Sequence, residues 1–177
     1  MRIVAGSRKG HTIFAPKGLD TRPTSDRVRE AAFNLIGPVD DAAVLDLYAG
    51  SGALGLEALS RGAARAVFIE SDRAACRTID RNLEKLKLTG ATVLCSPVET
   101  ALGQEATAGR KYDLVLLDPP YEMTDYEPIS RRLARVLASD GLVVFETAAR
   151  VEPELPLAMR TSRRYGSARL TLFEHAT

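Results

Sequence analysis

Apolar runs of strand length alternate with amphipathic stretches along the middle of the chain. The runs read AVLDLY, RAVFIE, ATVLCS, YDLVLLD and GLVVFET, at residues 43–48, 65–70, 91–96, 112–118 and 141–147. The stretches between them have helical periodicity. Strands that alternate with helices indicate a parallel sheet covered on both faces, and an unbroken apolar run such as 112–118 is typical of a central strand. The pattern predicts a doubly wound, Rossmann-like α/β fold.

The tail of the chain departs from this alternation. Two strand-like runs flank a Tyr-Gly-Ser turn at residues 165–167. Strands joined by so tight a turn must be antiparallel. We therefore expect a seven-stranded, mainly parallel sheet that ends in an antiparallel hairpin.

The start of the chain predicts a small extension. Short β-like runs in a Gly-rich, basic stretch indicate a hairpin within residues 1–22. A helix follows, for which Thr24 or Ser25 is a suitable N-cap and Gly37 a stop signal. The expected organisation is an extension of residues 1–22 that contacts RNA, followed by one domain of residues 23–177.

Composition is that of a single soluble domain. The chain has 177 residues, a charged fraction of 27% and a formal net charge of +1. No apolar run has the length of a membrane span, and the start has no signal-peptide core, so we expect a cytoplasmic protein. Cys76 and Cys95 have no CxxC spacing and are interpreted as free thiols. With two histidines in the chain, no metal site is expected.

Positive charge is concentrated at the two ends. Residues 1–24 contain five basic side chains against Asp20 alone, and residues 155–173 contain four arginines and no acidic residue. Such ends suit contact with a polyanion, although solvated loops can have the same composition.

A glycine-rich loop, GSGALG at residues 50–55, stands between a strand and a helix. In such loops Gly50 permits the tight turn, Gly52 lets a ligand approach the backbone, and Gly55 allows the helix to pack closely on the strand. Glu70 ends the next strand, where an acidic side chain accepts hydrogen bonds from ribose hydroxyls. The loop therefore predicts a nucleoside cofactor, and NAD and S-adenosylmethionine both fit it.

Two features favour S-adenosylmethionine. Asp46, four residues before Gly50, gives DLYAGSG. This stretch resembles the D-x-x-x-G-x-G loop of class I methyltransferases, in which the acid anchors the loop, whereas an NAD-binding fold usually has an apolar residue there. The antiparallel strand pair at the carboxyl end also resembles the methyltransferase sheet.

The sequence Asp118-Pro119-Pro120-Tyr121 follows the fourth strand, at the edge where open α/β sheets bind ligands. Because prolines lack an N–H group and have a fixed φ, the carbonyls of Asp118 and Pro119 are held still. The amino group of a nucleobase is a poor nucleophile, because its lone pair is delocalised into the ring. Two acceptors at this corner would bind its N–H groups and aim the lone pair at a methyl sulfonium. Tyr121 offers a flat face on which the base can stack.

Nearly the whole chain resembles the RsmD family of bacterial 16S rRNA guanine-N2 methyltransferases. The resemblance is carried by RIVAGSRKG at residues 2–10, RPTSDRVREAAFN at 22–34, DLYAGSGALGLEALSRGA at 46–63, and the DPPY corner. It implies a class I methyltransferase fold, S-adenosylmethionine as cofactor, no membrane, and a monomer that methylates the exocyclic N2 of one guanine in the small-subunit rRNA.

The resemblance also implies the site residues. The target site comprises Asp118, Pro119, Pro120 and Tyr121. The expected cofactor residues are Thr24, Arg27, Asp46, Tyr48, Gly50, Ser51, Gly52, Glu70, Ser71, Ser96 and Val98. Ser96 or the Val98 backbone stands where many relatives have an Asp or Asn for the adenine amine. Arg2, Arg8, Lys9 and Arg22 are expected to contact RNA phosphates.

Other interpretations remain open at this stage. Tyr48 also fits core packing, and Arg27 and Arg29 also fit a solvated helix face. The same amine site would accept adenine, which gives an adenine-N6 methyltransferase. A nucleotide-dependent oxidoreductase agrees with the glycine loop but leaves DPPY unexplained. A non-catalytic RNA-binding assembly factor is disfavoured by the intact Asp118 and glycine loop.

Overall fold

A single seven-stranded sheet forms the centre of the computed structural model, which describes residues 1–16 and 25–177. Along the chain the strands are β1 (Ala43–Leu47), β2 (Arg65–Glu70), β3 (Ala91–Cys95), β4 (Tyr112–Leu117), β5 (Leu137–Ala148), β6 (Ala158–Tyr165) and β7 (Ala168–Glu174). Their spatial order is β3-β2-β1-β4-β5-β7-β6. The first five strands run parallel to one another, and β7 is antiparallel to both β5 and β6. The predicted sheet is confirmed.

Helices cover both faces of this sheet. Within the described ranges they are α1 (Asp26–Ile36), α2 (Ala53–Ser60), α3 (Arg73–Leu86), α4 (Val98–Thr107) and α5 (Glu127–Val136). One face packs against α1, α2, α3 and the buried Ile3 and Ile13, and the other face packs against α4 and α5. Because both faces are covered, the central strands have continuous apolar runs. None of the helices in the described part of the chain is both long and apolar enough to cross a membrane.

The helix ends follow the capping signals of the sequence. Ser25 is the N-cap of α1, and its side chain accepts a hydrogen bond from the backbone of Val28 at 3.1 Å. Gly37 ends this helix at a φ of 84°, a value that favours glycine. Asp72 caps α3 in the same way and accepts from the backbone of Ala75 at 2.8 Å. Thr24, the alternative cap of α1, lies outside the described residues.

One helix is shorter than its sequence pattern. The helical pattern before the fifth strand runs from residue 126 to 139, but α5 ends at Val136 and the chain enters β5 directly at Leu137. Leu137 pairs with Tyr112 of β4, and the register shifts before Leu114. Sheet pairing therefore overrides helix propensity over these residues, which local periodicity alone could not reveal.

The amino-terminal segment, residues 1–16, is docked on the domain. The expected hairpin is reduced to one antiparallel bridge, between Arg2 and Thr12. Ile3 and Ile13 are 1% and 6% exposed and belong to the apolar cluster beneath α1, α2 and α3. This segment is therefore part of the folded core.

A buried charge network fixes the segment in place. Glu57 of α2 is fully buried and accepts hydrogen bonds from the backbone N–H groups of Val4 at 2.8 Å and Ala5 at 3.0 Å. It also pairs with Arg29 at 3.2 Å and with Arg61 at 2.9 Å. Arg29 is fully buried. The interpretation of Arg29 as part of a solvated face is therefore wrong, because its partner Glu57 comes from a distant part of the chain.

The two cysteines lie in the unit formed by β2, α3 and β3. Cys76 is in the first turn of α3, and Cys95 ends β3. A disulfide joins them, with their Cα atoms 6.0 Å apart. The prediction of free thiols is wrong, because the crossover from β2 to β3 brings the start of the helix beside the end of the strand.

Candidate active site

Three carboxylates converge at the carboxyl ends of neighbouring strands. Asp46 lies in β1, Glu70 ends β2 and Asp118 follows β4. Because β2, β1 and β4 are adjacent and parallel, their carboxyl ends lie on one rim of the sheet. Open α/β sheets bind their ligands at this rim.

Asp46 is the most buried of the three. It is 1% exposed, and its Oδ2 accepts a hydrogen bond from the backbone N–H of Gly55 at 3.0 Å. Burial raises the pKa of Asp46 well above its usual range, the Gly55 hydrogen bond opposes this rise, and the negative charges of Asp118 and Glu70 add to it. The side chain thus ties the first turn of α2 to β1 beneath the rim.

Glu70 holds the glycine loop. Its Oε1 accepts from the backbone N–H of Gly50 at 2.9 Å, and its Oε2 accepts from the backbone N–H of Asp72 at 2.8 Å. Each carboxylate oxygen can accept a further hydrogen bond, so the group can bind a ligand while it holds the loop. The Glu70 backbone carbonyl also accepts from Ser96 at 3.0 Å, which joins the end of β3 to this side of the site.

The first two glycines of the loop have left-handed backbone conformations and different surroundings. Gly50 has a φ of 59°, and a Cβ placed there would stand in open space. Gly52 has a φ of 82°, but its missing side chain faces Ile79 and Phe68, whose atoms would lie 3.3 Å from a Cβ. The side of the loop that is open to a ligand is therefore at Gly50, and Gly52 is required by its backbone conformation and by packing.

Gly55 behaves as predicted. A Cβ at this position would lie 2.4 Å from the ring of Phe68 and 3.0 Å from Oδ2 of Asp46. Only glycine lets α2 approach β1 and β2 this closely, and its N–H group then reaches Asp46.

Tyr48 is strained and incompletely satisfied. Its φ is 56°, which is uncommon for a bulky residue. Its hydroxyl is buried and has no hydrogen-bond partner among residues 1–16 and 25–177. Burial raises the pKa of Tyr48 to about 12, with a further contribution from Glu99 and Tyr126. The ring packs against the α4 and α5 side of the sheet, in agreement with core packing.

Hydrogen bonds and an aromatic contact hold the loop that contains the DPPY corner. Pro119 is buried, and the ring of Tyr121 is 40% exposed. The Pro120 carbonyl accepts from the backbone of Met123 at 3.0 Å, and the Tyr126 hydroxyl donates to the Met123 carbonyl at 2.9 Å. The Tyr126 ring stands edge-to-face on Phe145 of β5, with 4.9 Å between centroids. This chain of contacts fixes the loop that follows β4.

The remaining expected cofactor residues differ in exposure and in hydrogen bonding. Ser71 is exposed between β2 and α3, and the Ser96 hydroxyl donates to the Pro97 carbonyl at 3.4 Å. The Val98 side chain is buried in the cluster under α4, which leaves only its backbone for a ligand contact. Arg27 is exposed on α1. Thr24 lies outside the described residues.

The expected RNA-binding residues have different environments. The Arg8 guanidinium donates to the carbonyls of Leu86 and Lys87, so it caps the carboxyl end of α3. Arg2 and Lys9 are exposed, and the Arg2 backbone is bound to Asp26 and Arg29. Arg22 lies outside the described residues.

Asn82 is a site-supporting residue that sequence reasoning missed. It is fully buried in α3, and its Nδ2 donates to the carbonyls of Ser51 and Phe14, both at 3.0 Å. Its Oδ1 accepts from the Phe14 backbone at 2.7 Å. Asn82 thus links the amino-terminal segment to the glycine loop. The available signal was its position, because it is a polar residue on the apolar stripe that contains Ile79 and Leu86.

The strand order and the rim together define a class I methyltransferase fold, of the Rossmann-like type. A family described as Conserved hypothetical protein 95 matches residues 1–174. The chain is 38% identical to the putative rRNA methyltransferase YlbH of Bacillus subtilis, over 98% of each protein. It is 39% identical to ribosomal RNA small subunit methyltransferase D of Escherichia coli K12, over 91% of this chain and 78% of that protein.

A solved structure agrees with these relatives. The putative methyltransferase yhhF from Escherichia coli superposes with a TM-score of 0.87 at 37% identity, over 100% of this chain and 99% of that chain. The chain therefore belongs to the Conserved hypothetical protein 95 family, the RsmD-like family of methyltransferases, and the predicted resemblance is confirmed.

Proposed function

We propose that this protein is a cytoplasmic, S-adenosylmethionine-dependent methyltransferase that modifies the exocyclic N2 of a guanine in small-subunit rRNA. The observation that carries the proposal is the rim on which Glu70, the open side of the glycine loop and the Asp118 corner lie together. The names of the curated relatives support rRNA as the substrate. The choice of guanine rests on the family resemblance, above all over residues 22–34.

The residues of the rim fit S-adenosylmethionine. Gly50 leaves room for a ligand at the turn, and Glu70 can accept from ribose hydroxyls on the oxygens that already hold the loop. Asp46 holds the helix that follows the loop. When bound, this cofactor supplies an electrophilic methyl group on a sulfonium sulfur. Ser71, Ser96 and the Val98 backbone flank the same end of β2 and β3, where the adenine ring would bind.

The corner after β4 binds the nucleophile in this proposal. The Asp118 carboxylate and the Pro119 carbonyl accept the two N–H groups of the base amine and direct its lone pair. Tyr121, with its ring 40% exposed, stacks on the base, which contributes roughly 1–3 kcal/mol. Holding the reacting atoms about 3 Å apart removes several kcal/mol of the barrier. A base that begins in a helix must first be flipped out.

We further propose that residues 1–22 form an RNA-contacting extension, in which Arg2, Lys9 and Arg22 bind phosphates. The docking of residues 1–16 on α2 and α3 gives Arg2 and Lys9 a fixed position beside the domain. Arg8 would act in this scheme by holding the segment on α3 rather than by contacting RNA.

Transfer of labelled methyl groups from S-adenosylmethionine tests the function directly. Unmodified small ribosomal subunits and naked rRNA are the two substrates, and the labelled nucleoside is identified after digestion. N2-methylguanosine is the expected product. Label on adenine would retain the class of reaction and replace the target by adenine N6. Absence of label on either substrate, with cofactor shown to bind, would contradict the proposed function.

Replacement of Glu70 is expected to weaken cofactor binding. In Glu70→Ala the N–H groups of Gly50 and Asp72 lose their acceptor together with the ribose contact. Loss of such hydrogen bonds costs about 1–3 kcal/mol, which corresponds to a Kd for S-adenosylmethionine raised roughly tenfold to a hundredfold. Isothermal titration calorimetry measures this Kd. Glu70→Gln keeps one acceptor and should give an intermediate value, and an unchanged Kd in both variants contradicts the ribose assignment.

Replacement of Asn82 is expected to weaken binding of S-adenosylmethionine indirectly, through the glycine loop. Asn82→Ala leaves the Ser51 carbonyl without its donor, and Asn82→Asp removes both donors but keeps the acceptor for Phe14. Both variants should raise the Kd for S-adenosylmethionine about tenfold. Lys85→Ala is the matched control, because Lys85 binds Thr12 of the same segment but does not reach the loop. Equal Kd values for the Asn82 and Lys85 variants would contradict this role.

A further inference from the structure

The exposed face of α3 carries a regular row of positive charges. The side chains are Arg73, Arg77, Arg81 and Lys85, spaced four residues apart, and all four are exposed. Residues at this spacing lie one above another on a helix. With a rise of about 1.5 Å per residue, the row is about 18 Å long. We call it the α3 basic row.

An exposed aromatic ring lies beside this row. Phe14 is 37% exposed, and its ring centroid is 4.2 Å from the Arg81 guanidinium carbon and 4.8 Å from the Lys85 ammonium. The Phe14 backbone is fixed by two hydrogen bonds to Asn82. A single exposed ring is ordinary by itself, but a partly exposed ring flanked by cations is the combination with which proteins bind single-stranded nucleic acid, by base stacking and phosphate contact.

The three arginines of the row are available to an anion, whereas the Lys85 ammonium donates to Thr12. Asp80 and Glu84 lie in the neighbouring row of the same helix, yet among the described residues neither forms an ion pair with Arg73, Arg77 or Arg81. Asp72 at the start of the helix is occupied as its N-cap. The exposed face therefore retains an excess of positive charge, to which Lys9 and Lys87 contribute at its carboxyl end.

The α3 basic row begins at the active-site rim. The residue before α3, Asp72, donates its backbone N–H to Glu70, so Arg73 stands directly beyond the cofactor end of the site. In the third turn of the helix, Asn82 joins the glycine loop to the segment that carries Phe14. A nucleic acid strand with one base at Asp118 can therefore extend across this end of the molecule onto α3.

We propose that the α3 basic row binds the sugar–phosphate backbone of the substrate RNA next to the target nucleotide, and that Phe14 stacks on an unpaired base of the same RNA. This inference rests on the proposed function and adds a surface to it. A row of arginines fits phosphates, because each guanidinium can bind a phosphate with two parallel hydrogen bonds. An exposed aromatic ring beside the row fits a base, because bases stack on aromatic rings.

The test compares two triple variants with the same change of net charge. The first is Arg73→Gln, Arg77→Gln, Arg81→Gln, and the control is Arg131→Gln, Arg132→Gln, Arg135→Gln on α5, which covers the other face of the sheet. Binding to unmodified small-subunit rRNA is measured over a series of salt concentrations. Each lost phosphate contact lowers the slope of log K against log salt by about 0.7–0.9. In the α3 variant the magnitude of this slope should fall by about 2–3. The α5 variant should keep the wild-type slope.

Phe14→Leu separates stacking from charge. It keeps apolar contact with α3 but removes the flat ring, so rRNA affinity should fall several-fold with an unchanged salt slope.

Equal slopes for the two triple variants, whether both unchanged or both lowered, would overturn the inference, as would full affinity in Phe14→Leu. The Kd for S-adenosylmethionine and the melting temperature should match wild type in every variant. If wild-type protein transfers no methyl group to rRNA, the proposed function fails, whereas a failure confined to the α3 comparison leaves that function intact.

Discussion

Asp118→Ala is expected to lower methyl transfer to rRNA by at least about 100-fold. The carboxylate is one of the two acceptors proposed for the base amine, and a misplacement of about 1 Å at a reacting centre costs roughly that factor. The change falls on kcat, because the lost interaction orients the nucleophile. Single-turnover transfer of labelled methyl groups, with cofactor and rRNA at saturating concentrations, measures this step.

Asp118→Asn is the matched control. Its carbonyl oxygen still accepts one hydrogen bond, so it should retain more activity than Asp118→Ala. Cofactor affinity should stay close to wild type in both variants, because Glu70 and Asp46 hold Gly50 and Gly55 of the glycine loop. Removal of the negative charge also lowers the pKa of Asp46, which that charge raises. Turnover of Asp118→Ala within a factor of about two of wild type would falsify the amine-binding role.

Glu57→Ala is expected to reduce the free energy of unfolding by about 3–5 kcal/mol. Removal of one partner from a buried ion pair is costly because the other charge stays desolvated, and here Arg29 keeps its pair with Asp26 at 2.8 Å but loses the fully buried partner. Here the fully buried Arg29 loses a carboxylate, and the N–H groups of Val4 and Ala5 lose their acceptors as well. Urea unfolding gives the magnitude from the shift of the midpoint. Hydrogen exchange at Val4 and Ala5 should accelerate, because these amides depend on Glu57.

Arg61→Ala separates the buried part of this network from its edge. Arg61 is 19% exposed and contacts the other carboxylate oxygen of Glu57, so its loss should cost about 1 kcal/mol. The amides of Val4 and Ala5 should then exchange as in wild type. If Glu57→Ala costs no more than Arg61→Ala, the network does not anchor the amino-terminal segment.

Much of the fold was predictable because its signals are local. The apolar runs of β1 to β5, the Ser25 cap of α1 and the turn before β7 each follow from residues close together in sequence. Local signals failed where a distant partner decided the outcome. Residues 137–139 have a helical pattern but begin β5, where Leu137 pairs with Tyr112 of β4, and Arg29 has an exposed pattern but meets Glu57.

The candidate site was predictable in its chemistry and less so in its geometry. Glu70 and Asp118 were identified from their positions at strand ends and Asp46 from its place before the glycine loop, and neighbouring strands do bring them to one rim. The sequence indicated a tight turn at Gly50 and ligand approach at Gly52, but it did not reveal that the Gly52 α-carbon packs towards Ile79 and Phe68. No spacing rule revealed Asn82, because its partners Ser51 and Phe14 lie far away along the chain.

The sequence by itself determined the order of strands and helices, the class of fold and the residue types that can bind a nucleoside and an amine. These depend on periodicity, capping and short motifs, which act over a few residues. The tertiary structure alone decided the docking of residues 1–16, the pairing of Cys76 with Cys95 and the link from Asn82 to the glycine loop. Each of these joins segments that are far apart in sequence, and such contacts form only when the sheet and its crossovers bring the segments together.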